Sequence, residues 1–220
     1  MFVLVHKNRV IVGPVKWNTA MFNNALRKEK ITFDLPVDAP ATMPLIIDQN
    51  TRISVAQITK PSFNSKIQYL EGPYWDLSND TAQATYQVRD QPIDAVKGTL
   101  KKKISEIRWA KEVSGTTVTI QGIQHQIPTD RNTRANFGLA LSNMDSNNTI
   151  NWKFGSVWMT ISKSDLESVV NAINSHVQTS FDWEKAKSDM IDSLNTLEDL
   201  NQFKFLDEQT PLLRQVFGNR

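Results

Sequence analysis

The 220-residue chain contains no cysteine, which excludes disulfide frameworks, thiolate nucleophiles and thiolate metal sites in one step. Stability must come from packing. Glycine is sparse and scattered, with eight residues in all, and no Gly-rich loop followed by Lys is present, so the phosphate-cradling nucleotide fingerprints drop out. Histidine is limited to His6, His125 and His176. No His-Glu-x-x-His spacing joins them, which removes the helical zinc-protease pattern. Long apolar runs are also missing. Nothing approaches the roughly 20 residues a bilayer crossing needs, and the start Met1-Phe2-Val3-Leu4-Val5-His6-Lys7 has neither a basic lead nor a long apolar segment. The expectation is a chain made in the cytosol that leaves it only within a particle, with no membrane as partner.

Net charge is small as well. A formal +2 argues against sequence-independent nucleic-acid binding, which draws its affinity from clustered Lys and Arg displacing counterions. The charge is nevertheless uneven. Lys97, Lys101, Lys102, Lys103, Arg108 and Lys111 make one stretch basic, and Asp182, Glu184, Asp189, Asp192, Glu198 and Asp199 make a later one acidic. Both read as solvated helix faces. The carboxylate pairs Glu198-Asp199 and Asp207-Glu208 are sequence neighbours whose side chains diverge on a helix, so they do not converge on one bond or one ion.

What is present is an ordinary apolar share of 40%, a high content of Asn, Gln, Ser and Thr, and enough length for one large or two small domains. Phe2 to Val5 and Val10 to Val12, around Lys7-Asn8-Arg9, predict a hairpin. Asn18 then caps a short helix carrying Met21, Phe22, Ala25 and Leu26. From Ile31 to Val88 the pattern is short strands punctuated by Pro36, Pro40, Pro44, Pro61 and Pro73, which mark edges and loops. Leu45 to Ile47 and Ile53 to Ile58 flank one turn; Lys66 to Leu70 and Ala84 to Val88 are further strands.

Character changes at Pro92, after which Ile93, Val96, Leu100, Ile104, Ile107 and Val113 trace the stripe of a long helix ending at Ser114-Gly115. Thr116 to Ile120 and Ile123 to Ile127 predict a hairpin. Thr129 or Asp130 caps a helix through Ala135, Phe137, Leu139 and Leu141. Thr149 to Lys153 and Val157 to Ile161 form a second hairpin, with Trp152 and Trp158 facing one another across it. Ser162 and Asp165 have capping-box spacing and launch a helix with Leu166, Val169, Val170, Ile173 and Val177. Its apolar stripe continues through Trp183, Ala186, Met190, Leu194 and Leu197 after a phase shift, and Thr179 with Asp182 repeats the capping spacing, so a break or kink near Ser180 is expected. The terminal segment Phe203 to Arg220 is mixed, with Phe205, Leu212, Leu213, Val216 and Phe217 spaced as a short helix or as an arm that orders only on a neighbour.

The most concentrated polar chemistry is Thr129 to Asn136, where Arg131 and Arg134 beside a helix start can hold a carboxylate or phosphate. Capping and surface ion pairs are the plainer reading. His176, at the edge of the Ile173–Val177 stripe, reads as a packing or hydrogen-bonded histidine. Two Asn-x-Thr sequons, at Asn79 and Asn147, carry meaning only on a secretory route. Six tryptophans are expected mostly in the core, and exposed ones are natural interface anchors. No residue is assigned a catalytic, cofactor-binding or metal-binding role, and no cofactor is expected.

The order of these motifs is similar to a domain of unknown function found in phage tail-fibre-associated and other virion proteins. The residues that carry the likeness are Asp90 to Glu112 with Pro92, Lys97, Arg108 and Glu112; the Gly115 to Ile127 hairpin; Thr129, Asp130 and Arg134; Trp152-Lys153-Phe154, Trp158 and Leu166; and His176-Val177-Gln178, Phe181 and Glu184. The likeness spans about residues 84 to 200. The first 80 residues resemble the N-terminal part of related virion proteins of contractile-tailed marine phages. The resemblance implies a virion protein of the tail or baseplate, with no catalytic residues to carry over.

The reading is an α+β protein, with a β-rich module at 1–83, a helix–hairpin–helix–hairpin–long-helix module at 84–205 and a C-terminal arm at 206–220. The expected role is a non-enzymatic structural adaptor joining other phage tail, baseplate or fibre proteins in multiple copies. A tail-fibre assembly chaperone absent from the mature virion is the alternative.

Overall fold

The computed structural model describes residues 1–205; the expected helix or arm over Leu212 to Phe217 falls outside the described residues. The chain divides into two compact units, Met1–Gln91 and a second from Pro92 onward. The fold is α+β, as the residue pattern predicts, with a strand-rich first unit and a second built of helices and hairpins.

In the first unit, β1 (Phe2–His6) and β2 (Arg9–Val15) form the predicted hairpin. Lys7 and Asn8 turn it, both at positive φ. Helix α1 (Thr19–Lys28) follows, capped by the Asn18 side chain, which accepts from the Met21 N–H at 2.9 Å. Strands β3 (Leu45–Asp48), β4 (Thr51–Thr59), β5 (Gln68–Asp76) and β6 (Ala82–Asp90) complete one sheet. Its order is β2-β1-β4-β6-β5, with β3 also on β4. Among the described residues only the β4–β6 pairing of this sheet is parallel.

Strand alternation gives this sheet two apolar layers. Leu4 and Ile53 pack with Phe22, Leu26 and Leu35. Val3 and Val5 point the other way and pack with Ala56 and Ala82. The strands at the two ends of the order, β2 and β5, each contain a Gly-Pro pair, Gly13-Pro14 and Gly72-Pro73, at a register shift. Proline lacks the N–H that a further strand would need, so these positions blunt the sheet edges. Strand β5 runs straight through Pro73, longer than the sequence predicts, because an edge strand can lose one donor without losing a ladder.

The second unit opens with α2 (Ile93–Glu112), whose buried stripe is Val96, Leu100, Ile104 and Ile107. Ile93, expected on that stripe, sits exposed in the first turn. Strands β7 (Thr116–Ile120) and β8 (Ile123–Ile127) pair as predicted. Helix α3 (Arg131–Ser142) is capped by Asp130, not Thr129. It buries Phe137 and leaves Leu139, expected inside, 64% exposed; two residues along a helix turn the side chain by about 200°, so the two cannot share a face.

Strands β9 (Thr149–Phe154) and β10 (Val157–Ser162) form the second hairpin. Trp152 and Trp158 do not face one another: Trp158 lies opposite Lys153 and Trp152 opposite Met159. That register puts the two rings on opposite faces, with Trp152 stacked on Phe137 at 4.6 Å and Trp158 outward. The Ser162–Asp165 capping box is formed and starts α4 (Lys163–Ser193), which runs unbroken through Ser180. The expected second cap is consumed locally, since Asp182 accepts from Gln178 at 2.8 Å and the Ser180 hydroxyl donates to the His176 carbonyl at 3.0 Å. Met190 and Ala186, expected on the inner stripe, are exposed; Lys187 and Ile191 take those phases. Helix α5 (Leu197–Gln202) closes the unit through the buried Leu200. The shared core joins Ile120, Ile127, Phe137, Phe154, Leu166 and Ile173.

Candidate functional site

Helices α2 and α4 lie side by side, and the charge runs that read as separate solvated faces meet there. Lys101 Nζ is 2.6 Å from Asp192 Oδ1, and Lys97 donates to the Asp192 carbonyl at 2.9 Å. Lys101 holds the Asp192 carboxyl below the usual range, first by its hydrogen bond.

Further along α2 the pairing becomes buried. Glu112, 3% exposed, falls in phase with the stripe of Leu100 and Ile104, so its carboxylate is buried. It is held by two guanidiniums. Arg108, one turn earlier on α2, pairs with Oε2, and Arg134, in the first turn of α3, donates to Oε1 at 2.7 Å. Arg108 also donates to Glu184 on α4 at 2.9 Å, and its guanidinium lies 4.6 Å from the centroid of the Phe181 ring. Two arginines and two glutamates balance, and each buried charge has a partner. Of the two readings of the Thr129 to Asn136 segment, capping and ion pairing is the one that Asp130 and Arg134 show, with the Arg134 pair formed to a buried carboxylate and not at the surface.

The same corner is stitched by neutral groups. Thr129, fully buried, donates its hydroxyl to the Glu112 carbonyl and accepts from the Gly115 N–H at 3.0 Å. His176 Nε2 lies 2.8 Å from the Lys111 carbonyl. A carbonyl only accepts, so that nitrogen carries the proton. His176 thus binds α4 to the end of α2, the hydrogen-bonded role its position predicts.

Beside this cluster lies a concave surface of about 1080 Å³. Trp109, Val113, Gly115, His176, Ser180 and Trp183 are among its lining residues. Its walls are chiefly apolar. Lys111 Nζ sits 3.9 Å from the Trp183 ring centroid, and Arg131 lies 5.6 Å from that of Trp109, so cations cover part of each indole. Trp109 remains 43% exposed. None of the six tryptophans is fully buried, contrary to the expectation that most form core; Trp17, Trp75 and Trp152 are half-buried against the core clusters, Trp17 edge-to-face with Phe22 and Trp152 stacked on Phe137.

The other histidines hold separate local posts. His6 Nδ1 is 2.8 Å from the Thr51 hydroxyl oxygen in the first unit. The His125 ring packs against Phe154 at 4.9 Å between centroids, and its buried Nε2 makes no hydrogen bond among the described residues. Among the described residues no group of three or more His, Cys, Asp or Glu is placed to hold a metal ion, and no helix is long and apolar enough to cross a membrane. Sequence reasoning missed the groove and the Glu112 cluster. The available signal was a carboxylate in phase with a buried stripe.

The model of a family described as "Domain of unknown function (DUF4376)" matches residues 95–205, a span that contains the whole ion cluster and both groove tryptophans. No curated protein and no solved structure matches the chain.

Proposed function

We propose that this chain, which belongs to the family described as "Domain of unknown function (DUF4376)", is a structural adaptor of a bacteriophage tail, in the baseplate or fibre-attachment region, and not an enzyme. The observation that carries the reading is the Trp109–Trp183 groove. It is a preformed apolar surface with an exposed indole, braced from behind by a charge-balanced cluster that has no spare group to move a proton or attack a bond. Tryptophan and arginine together are the residues that anchor protein contacts. Repeated copies add modest contacts into a firm assembly. The partner assigned to the groove is another tail, baseplate or fibre subunit, with no nucleic acid or membrane involved. The likeness of residues 84 to 200 to virion proteins supports the tail placement.

Quantitative mass spectrometry of purified virions tests this. The expected result is a fixed stoichiometric ratio to the tail proteins. Depletion from mature particles, with abundance in assembly intermediates, would instead support a fibre-assembly chaperone and overturn the structural role.

A further inference from the structure

Several acceptors lining the Trp109–Trp183 groove are engaged within the fold, while donors are left over. The Lys111 carbonyl accepts from His176 Nε2 and from the Ser114 hydroxyl, each at 2.8 Å, and the His176 carbonyl accepts from Ser180. The Gln126 side-chain oxygen accepts from the Thr117 hydroxyl at 2.8 Å. Its amide nitrogen, 2.9 Å from where a Cβ on Gly115 would stand, remains a donor at the groove. The indole N–H groups of Trp109 and Trp183 donate to no group among the described residues. Charge runs the same way. Lys111 stands over Trp183 and Arg131 over Trp109, and no Asp or Glu is among the residues lining the groove. Of the carboxylates adjacent in sequence, Glu112 and Glu184 are paired with Arg108 and Arg134. Asp182, about 100° around α4 from Trp183, shares a face with Gln178.

We propose that the groove receives an acidic-apolar segment of a partner protein, with a large apolar side chain packed on the indoles and a neighbouring Asp or Glu carboxylate held by Lys111, Arg131 or the Gln126 amide. A purely apolar segment would fill the walls but cover two cations without supplying a counter-charge, which costs free energy. A basic segment would be repelled by those cations. An ionised carboxylate carries only acceptors, so it matches the leftover donors, and its hydrogen bonds to Lys and Arg are of the strong, charge-assisted kind. The inference rests on the reading of this groove as a protein-contact surface and adds the chemistry of what it contacts.

The test is a selection of random peptides, displayed on their own mRNA, on the immobilised full chain. The recovered sequences are expected to be enriched in Asp or Glu next to Trp, Phe or Leu relative to the input. The most enriched peptide is then synthesised and titrated against the full chain, Trp109→Ser and Arg131→Glu by fluorescence anisotropy. Trp109 is half-exposed, and Arg131 is the first residue of α3, where an acid suits the helix dipole, so both variants are expected to keep the fold, read by circular dichroism. Trp109→Ser is expected to raise Kd about tenfold or more, and Arg131→Glu about tenfold, with the acidic enrichment lost when the selection is repeated on that variant. Peptides that need Trp109 but show no acidic enrichment would overturn the proposal and leave the groove as a contact surface. Acidic peptides bound equally well by Trp109→Ser would remove the groove from both readings. Acidic peptides indifferent to Arg131→Glu, or no peptide recovered above background, would also overturn the proposal, whereas the virion ratio bears only on the tail placement.

Discussion

Arg134 Nη2 lies 2.7 Å from Glu112 Oε1, joining the first turn of α3 to the last turn of α2 across 22 residues of sequence. Because Glu112 also holds Arg108, its loss leaves two guanidiniums facing a partly buried corner without their shared anion. Glu112→Ala is expected to lower the stability of the second unit by about 3–5 kcal/mol, the range for breaking a buried pair by removing one partner. Urea denaturation followed by circular dichroism reads this. A loss under about 1 kcal/mol would mean that water reaches the cluster and replaces the carboxylate.

Gly115 occupies the left-handed region at φ +89°, where α2 hands over to β7, and a Cβ there would stand 2.9 Å from the Ile127 carbonyl oxygen. Both the backbone conformation and the contact oppose a side chain. Gly115→Ala is expected to cost about 1–3 kcal/mol. Gly122, also at positive φ but with open space around its Cβ position, gives the comparison: Gly122→Ala should cost distinctly less. Equal costs would show that backbone conformation alone sets the penalty and that the Ile127 contact contributes nothing.

The elements were legible where local rules decide them. Asn18 and Ser162 carry cap chemistry in their own side chains, and the stripe from Val96 to Ile107 has a single period, so start, phase and identity of those helices follow from a few neighbouring residues. Three features escaped because distant residues decide them. Trp158 faces outward because β9 and β10 pair in a register that places it opposite Lys153. Helix α4 continues past Ser180 because packing against α2 outweighs a competing cap signal. The Glu112 cluster draws on α2, α3 and α4, and no window of one helix contains it.

The capping carboxylates set an acid limit on the second unit. The backbone N–H of Ser162, then Gln121 and the Ser162 hydroxyl, hold Asp165 below its ordinary value of 3.8, and the Thr133 hydroxyl, ahead of the Thr133 and Asn132 N–H groups, does the same for Asp130. A carboxyl whose folded value is depressed contributes its stability in full above the unfolded value and loses it as pH falls through the folded one. Stability should therefore be flat in this respect from neutral pH down to about 4 and decline below it. Asp165→Asn is expected to flatten part of that acid limb, and Ser162→Ala to cost about 1 kcal/mol at pH 7. Urea midpoints measured from pH 7 down to pH 3 check both. An acid limb unchanged in Asp165→Asn would remove the capping box as a cause.

Phe137 and Trp158 separate packing from contact surface within one unit. Phe137 is buried, stacked on Trp152 and 6.2 Å from Phe154, so Phe137→Ala removes a ring from the junction of α3 and the β9–β10 hairpin and is expected to cost about 3–5 kcal/mol. Trp158 is 67% exposed on the other face of that hairpin, with the Lys153 ammonium 5.8 Å from its ring. Trp158→Ser is expected to change stability by no more than about 0.5 kcal/mol. If Trp158 anchors a partner, the same variant should weaken association with tail subunits in a pull-down while the fold stays intact. A destabilisation comparable to that of Phe137→Ala would place Trp158 in the packing of the unit and remove it from the contact surface.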